Sequence, residues 1–234
     1  MIAAPASDAH HPTAVLFDFG GTLDSAGVPW RERVLRLCRE EGLSTSREAF
    51  DPIFYQVDDA LVGRVPSTLS LEETVSRLVT GVALGLGCPD QRLTDRVAKR
   101  FRDETLATVR GHVPLLERLA RRYRLGIVSN FYGNLASVCH EIGLADLFSA
   151  LVDSTCVGSA KPEAAIFRHA LAALAVQAPR AVFVGDSPVR DMAGARGVEM
   201  PHVWLAPASA REARPCCPRD IVIHALSELD GLLP

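Results

Sequence analysis

Six short apolar runs recur along the chain: AVLF (14–17), LGIV (125–128), ALV (150–152), AVFV (181–184), HVWL (202–205) and IVI (221–223). They are continuous rather than alternating, which suits strands buried on both faces, as in a parallel sheet. Between most of them lie apolar residues at helical spacing: Leu115, Leu116 and Leu119; Leu135, Val138 and Ile142; Ile166, Ala170, Leu171 and Leu174. Strand followed by helix, repeated, predicts an α/β fold around a doubly wound, Rossmann-like parallel sheet.

From Gly27 to Gly111 the rhythm changes to helical spacing alone. Four stripes stand out: Trp30, Val34, Leu37 and Cys38; Ile53, Phe54, Val57 and Leu61; Leu71, Val75, Leu78, Val79 and Val82; Leu93, Val97 and Phe101. Four such stripes can bury one another as a bundle. Pro52 has no amide donor, so the second helix is expected to start there with Asp51 as its cap, or to kink. The expected organisation is a disordered lead over 1–12, an α/β core built from 13–26 and 111–234, and an inserted helical cap over 27–110.

Length and composition narrow the picture further. At 234 residues, 48% of them hydrophobic, the chain can bury a substantial interior without staples. A formal net charge of -3 leaves no basic footprint, which argues against nucleic acid or a membrane surface as the partner. Cys38, Cys88, Cys139, Cys156, Cys216 and Cys217 form no CxxC pair and read as small apolar residues or idle thiols. The opening MIAAPASDAHHP has neither a cationic region nor a long apolar one, and no stretch approaches a membrane span, so a cytoplasmic address is expected. Only Lys99 and Lys161 are lysines; every other cationic side chain of that class is arginine.

Ligands of open parallel sheets bind at the carboxyl ends of strands, which makes the residues after each apolar run the candidates. Asp18, Gly20, Gly21 and Thr22 follow the first run, and Ser129 and Asn130 the second; Lys161 stands in GSAKPEA, expected to open a helix, and GDSPVRD holds Asp186 and Asp191. Each alone also reads as a turn or cap residue. Together they have a chemistry. Asp18 can be a carboxylate nucleophile where glycines let backbone amides approach an anion and Gly20 lends its carbonyl to a metal. The Ser129 hydroxyl can hold phosphate oxygens, and Lys161, a compact charge in an arginine-rich chain, can bridge a carboxylate and a phosphate. Asp186 and Asp191 make a sensible site for a hard cation such as Mg²⁺.

In this order the segments resemble the haloacid dehalogenase-like hydrolase superfamily over nearly the whole chain. FDFGGTL looks like its first motif, VSN its second, the Lys161 segment its third and VGDSPVRDMAGAR its fourth, with the helical insert where that family places its cap. The resemblance implies a Rossmann-like core with a mobile cap, Mg²⁺, and an aspartyl-enzyme intermediate. It makes Asp18 the nucleophile and a metal ligand, with the Gly20 carbonyl, Asp186 and Asp191 completing the metal set. Ser129 and Lys161 would hold and neutralise the transferring phosphoryl group, with Gly21, Thr22 and Asn130 as further phosphate-binding positions.

One departure matters. Phosphatases of this kind usually carry a second Asp two residues after the nucleophile, as general acid and base; here Gly20 stands there. That loss removes a contribution of about two to four orders of magnitude in rate. The preferred expectation is a Mg²⁺-dependent phosphatase of a small phosphorylated metabolite, with an acyl or anomeric leaving group or with Asp24, His112, Asp58 or Asp59 replacing the acid. The alternatives are a weakened phosphate-binding or regulatory module, and a metal-free dehalogenase, against which Asp186 and Asp191 speak. A phosphonate-cleaving role would need a cap amine, and Lys99 in DRVAKRF reads as a solvated position; a mutase would depend most on the absent acid. Phe54, Tyr55, Phe131 and Tyr132 are candidate pocket walls, and His112 a candidate hinge neighbour.

Overall fold

The computed structural model describes residues 11–210 and 220–234. Most of the expected lead, together with Cys216 and Cys217, lies outside the described residues. All six apolar runs are strands: β1 (Ala14–Phe17), β2 (Arg124–Ser129), β3 (Ala150–Asp153), β4 (Ala181–Gly185), β5 (His202–Leu205) and β6 (Ile221–Ile223). They form one sheet in the order β3-β2-β1-β4-β5-β6, every pairing parallel. Successive strand side chains point to opposite faces. Val15 and Phe17 therefore join one apolar cluster while Ala14 and Leu16 join another, so both faces of the sheet are covered.

β1 sits centrally, with Phe17 opposite both Ile127 of β2 and Val184 of β4. This register aligns the carboxyl ends of three strands. The residues that follow them, Asp18, Asn130 and Asp186, are thereby brought to the point where the strand order reverses, the crevice where such sheets bind ligands.

The helical stretch comprises α1 (Trp30–Glu40), α2 (Arg47–Leu61), α3 (Leu71–Gly85) and α4 (Gln91–Ala120). Their predicted stripes are buried: Val34 and Leu37 on α1, Phe54 on α2, Val75, Leu78 and Val82 on α3, Val97 and Phe101 on α4. α3 begins with a reciprocal cap in which Ser70 and Glu73 satisfy each other's amides. After β2 come α5 (Leu135–Glu141), α6 (Ser154–Val157), α7 (Ala164–Ala173), α8 (Ala193–Gly197) and α9 (Leu229–Leu232). Among the described residues no helix is long and apolar enough to cross a membrane.

Two expectations need correction. α2 starts at Arg47, with the Ser46 side chain accepting from the Ala49 amide at 3.2 Å; Pro52 lies inside it, and Asp51 bonds Arg31 instead of capping. The stripes at Leu93–Phe101 and Leu115–Leu119 also belong to one helix, α4, whose 30 residues run through Gly111 and Pro114. Thr105, Val109, Leu116 and Leu119 keep its buried face continuous, and that packing outweighs the local cost of a glycine and a proline.

Candidate active site

Asp18 is nearly buried at the end of β1, its Oδ1 accepting from the Phe19 amide at 2.7 Å. Lys161, just before α7, is wholly enclosed, and its Nζ lies 2.7 Å from Asp18 Oδ1 and 2.7 Å from Asp191 Oδ1. Asp186 completes the group: carboxylate oxygens of Asp18, Asp186 and Asp191 all lie within 4.8 Å of one another. Asp191 is anchored from below, its Oδ2 accepting from the Ser187 amide at 2.9 Å. Its Oδ1 is enclosed and makes no contact of hydrogen-bond geometry, although the Lys161 ammonium is near.

Three carboxylates facing one ammonium carry an excess of negative charge in a place with little water. Burial, and then the charges of Asp18 and Asp191, push the Asp186 carboxyl well above the usual carboxylate range. Burial likewise raises Asp191, against the opposing pull of Lys161. Burial alone would lower Lys161; Asp18 and Asp191 outweigh it and hold the ammonium above its ordinary value. An all-oxygen donor set of three clustered carboxylates, with more negative charge than one ammonium offsets, fits a hard divalent cation such as Mg²⁺.

The group opens into a cavity of about 260 Å³ that also takes in Gly20, Ser129 and Asn130. Ser129 is buried in the cavity wall, and its hydroxyl bonds none of the described residues. Asn130 serves differently, since its side chain accepts from the Lys161 amide at 2.7 Å and donates to the Lys161 carbonyl at 3.0 Å. It positions the lysine through its oxygen and one of its two amide hydrogens. Gly21 and Thr22, expected at the phosphate, are also turned elsewhere. The Gly21 amide donates to Asp24 Oδ1 at 2.7 Å, Thr22 Oγ1 stands 3.5 Å from Asp186 Oδ1, and neither residue lines the cavity. Gly21 has φ +100°, and a Cβ there would run into the Asp186 carboxylate, so its smallness serves that close approach.

Phe54, Tyr55, Phe131 and Tyr132 all line the cavity, as expected of pocket walls. The loop carrying Phe131 and Tyr132 is tied down by Asp153 at the end of β3, which accepts from the amides of Gly133, Leu135 and Thr155. Of the four groups considered as replacement acids, only Asp58 reaches the cavity wall. Asp24 is fully buried and bonded through both oxygens, by Gly21 on one and by Trp30 and Arg33 on the other. His112 Nδ1 is 3.0 Å from the Leu23 carbonyl, and Asp59 is exposed outside the wall. Lys99 is solvated and paired with Asp103 at 2.6 Å, as its setting predicted. The buried Arg33–Asp24 pair and the cavity-lining Trp30 and Arg190 were missed in the sequence. Trp30 read as one more apolar stripe residue, and arginine is too common in this chain to single any out.

A family model described as haloacid dehalogenase-like hydrolase matches residues 12–198. The chain belongs to that family of hydrolases. Among curated relatives, phosphoglycolate phosphatase of Rhodospirillum rubrum is 29% identical over 215 residues, 86% of this chain and 82% of that protein. Haloacid dehalogenase-like hydrolase domain-containing protein 3 of Mus musculus is 31% identical over 157 residues, so the match covers 63% of this chain and only 61% of the mouse protein. Among solved structures, a 2-haloacid dehalogenase from Pseudomonas syringae aligns over 95% of this chain and 98% of its own, with TM-score 0.55 and 25% identity. This hydrolase thus has both phosphatase and dehalogenase kin, and its doubly wound sheet is the family's fold.

Proposed function

We propose that this hydrolase is a Mg²⁺-dependent phosphatase of a small phosphorylated metabolite, working through an aspartyl phosphate, an acyl phosphate on Asp18. The observation that carries the reading is Lys161 held between Asp18 and Asp191 with Asp186 alongside, at the floor of a cavity. The Phe19 amide and Lys161 engage Asp18 Oδ1, which leaves Oδ2 to attack phosphorus. As that bond forms, the bond from phosphorus to the leaving oxygen breaks. Ser129 Oγ and Lys161 Nζ stabilise the charge on the transferring oxygens, and water then attacks phosphorus of the acyl phosphate, whose bond to Asp18 breaks to restore the carboxylate. Mg²⁺, held by Asp18, Asp186, Asp191 and the Gly20 carbonyl, would screen phosphate from the carboxylates and act as a Lewis acid. The segment 27–110, which supplies Trp30, Phe54 and Tyr55 to the cavity wall, is the cap in this reading.

Likeness to the Pseudomonas protein favours a second reading, metal-free displacement of halide by Asp18. Against it stand Asp186 and Asp191, which with Asp18 make three clustered carboxylates for the single Lys161 ammonium, a surplus of negative charge that a divalent cation would offset. The test is turnover of acetyl phosphate and p-nitrophenyl phosphate with and without Mg²⁺, beside chloride release from 2-chloropropionate. Metal-dependent phosphate release lost in Asp18→Asn supports the phosphatase. Chloride release without metal supports the dehalogenase, and no turnover by either route overturns both.

A further inference from the structure

An alkyl or aryl phosphate gives up its leaving group as an anion, and the poorer that anion, the more it needs a proton as the bond breaks. Asp18, Asp186 and Asp191 are committed to nucleophile and cation. The space beside Gly20 offers no acid either. A Cβ there would meet the Trp30 indole at 3.2 and 3.3 Å, and that indole donates to Asp24 Oδ2 at 2.6 Å. The N–H edge of an indole already engaged by Asp24 thus crowds the position two residues beyond the nucleophile.

Among the described residues, the cavity wall contains one carboxyl group outside the cluster, that of Asp58 on α2. Tyr132, from the loop after β2, donates its hydroxyl to Asp58 Oδ1, while Oδ2 bonds none of the described residues. Arg190 faces the same carboxyl from the turn after β4, Asp59 is its neighbour on α2, and Arg31 and Tyr55 share the wall. We propose that Asp58 is the general acid and base of this enzyme, delivered from the helical segment in place of a residue at position 20. The assignment rests on the phosphatase reading.

In the first step Oδ2 of the protonated Asp58 gives its proton to the leaving oxygen as the phosphorus–oxygen bond breaks and Asp18 becomes the acyl phosphate. In the second, the Asp58 carboxylate takes a proton from water as the water oxygen attacks phosphorus, and the bond to Asp18 breaks to return its carboxylate. Phosphate leaves and Asp58 is protonated again. The local environment suits this cycle. Burial raises the Asp58 carboxyl above its ordinary value, the Tyr132 hydrogen bond and Arg190 pull it back, and Asp59 adds to the rise. Activity on poor leaving groups should therefore fall as pH rises through that elevated value, where the proton is lost.

The experiment compares wild type, Asp58→Asn and Tyr132→Phe with p-nitrophenyl phosphate and phenyl phosphate in saturating Mg²⁺, by rapid mixing and in steady state. For Asp58→Asn we expect a burst of nitrophenol at the wild-type rate. Slow phosphate release should follow, with kcat on phenyl phosphate down about 100-fold or more and the alkaline limb absent. Tyr132→Phe removes a bond that favours the carboxylate, so the limb should move to higher pH. Asp58→Asn that keeps kcat on phenyl phosphate within about twofold, or changes only KM, overturns the assignment. Should Asp58→Asn fail to fold, an unmoved limb in Tyr132→Phe overturns it as well. Wild-type turnover that is lost in Asp18→Asn yet kept in Asp58→Asn sinks Asp58 alone; wild type without metal-dependent turnover sinks the phosphatase reading and this assignment with it.

Discussion

Arg33 of α1 closes on Asp24, in the turn that follows β1, with Nη1 and Oδ2 2.7 Å apart and side chains 4% and 0% exposed. The other guanidinium nitrogen bonds the Phe101 carbonyl at 3.2 Å and Thr105 Oγ1 at 3.0 Å, and Cζ lies 3.7 Å from the Phe101 ring centre. One side chain thus ties the site turn to α1 and α4. Removing it leaves a buried carboxylate without its cation, so Arg33→Ala should lose about 3–5 kcal/mol in urea unfolding. Replacing both partners with apolar residues of similar volume should cost less than that single change.

A cation among three carboxylates relieves repulsion that the folded chain otherwise bears. Mg²⁺ at about 100 times its Kd should add about 2.7 kcal/mol of stability. For a chain of this size that is a rise in Tm of about 5–10 °C. EDTA should reverse the shift, and Asp186→Asn should abolish it while the thermal melt stays cooperative.

Restoring a carboxyl at position 20 looks attractive from the sequence and unattractive from the packing. The Gly20 backbone, at φ -76°, accepts any residue, but a new Cβ would meet the Trp30 indole at 3.2 and 3.3 Å, closer than an ordinary van der Waals contact. Gly20→Asp should destabilise by about 1–3 kcal/mol as the ring is displaced and its bond to Asp24 strained. It should leave kcat on phenyl phosphate no higher than wild type.

Thiol reactivity gives a check on the core that is independent of catalysis. Burial pushes the Cys38 thiol up to about 12, and burial together with Asp153 does the same for Cys139. The thiolate is the reactive form, so at pH 8 only about one in ten thousand of these groups is ionised. Iodoacetamide on the native protein should label exposed Cys88 and Cys156 first, with Cys38 and Cys139 labelled only after denaturant, as read by peptide mass spectrometry.

The strands were legible because each is an unbroken apolar run, and a strand buried on both faces leaves little else for such a run to be. Asp18, Ser129, Lys161, Asp186 and Asp191 were legible for a related reason, since a parallel sheet gathers the residues that follow its strands at one edge. Direction was not legible. Gly21, Thr22 and Asn130 sit at the right places in the chain, yet their donors point to Asp24, Asp186 and the Lys161 backbone. The choice of Asp58 over Asp24, His112 and Asp59 needed the cavity wall itself. That the stripes at Leu93–Phe101 and Leu115–Leu119 share one helix was not legible either, because glycine and proline are local signals, whereas the apolar face of α4 extends over many turns.

That uninterrupted α4 has a mechanical meaning. At 1.5 Å per residue its 30 residues make a shaft about 45 Å long, fixed at one end against α3 and at the other beneath the sheet. The helical segment is joined to the strands through this shaft and through the short stretch before Trp30. Opening the cavity by moving this segment would bend that short stretch and tilt or flex a single rod. Its weakest cross-section is at Gly111 and Pro114, where one residue lacks a side chain and the other an amide donor.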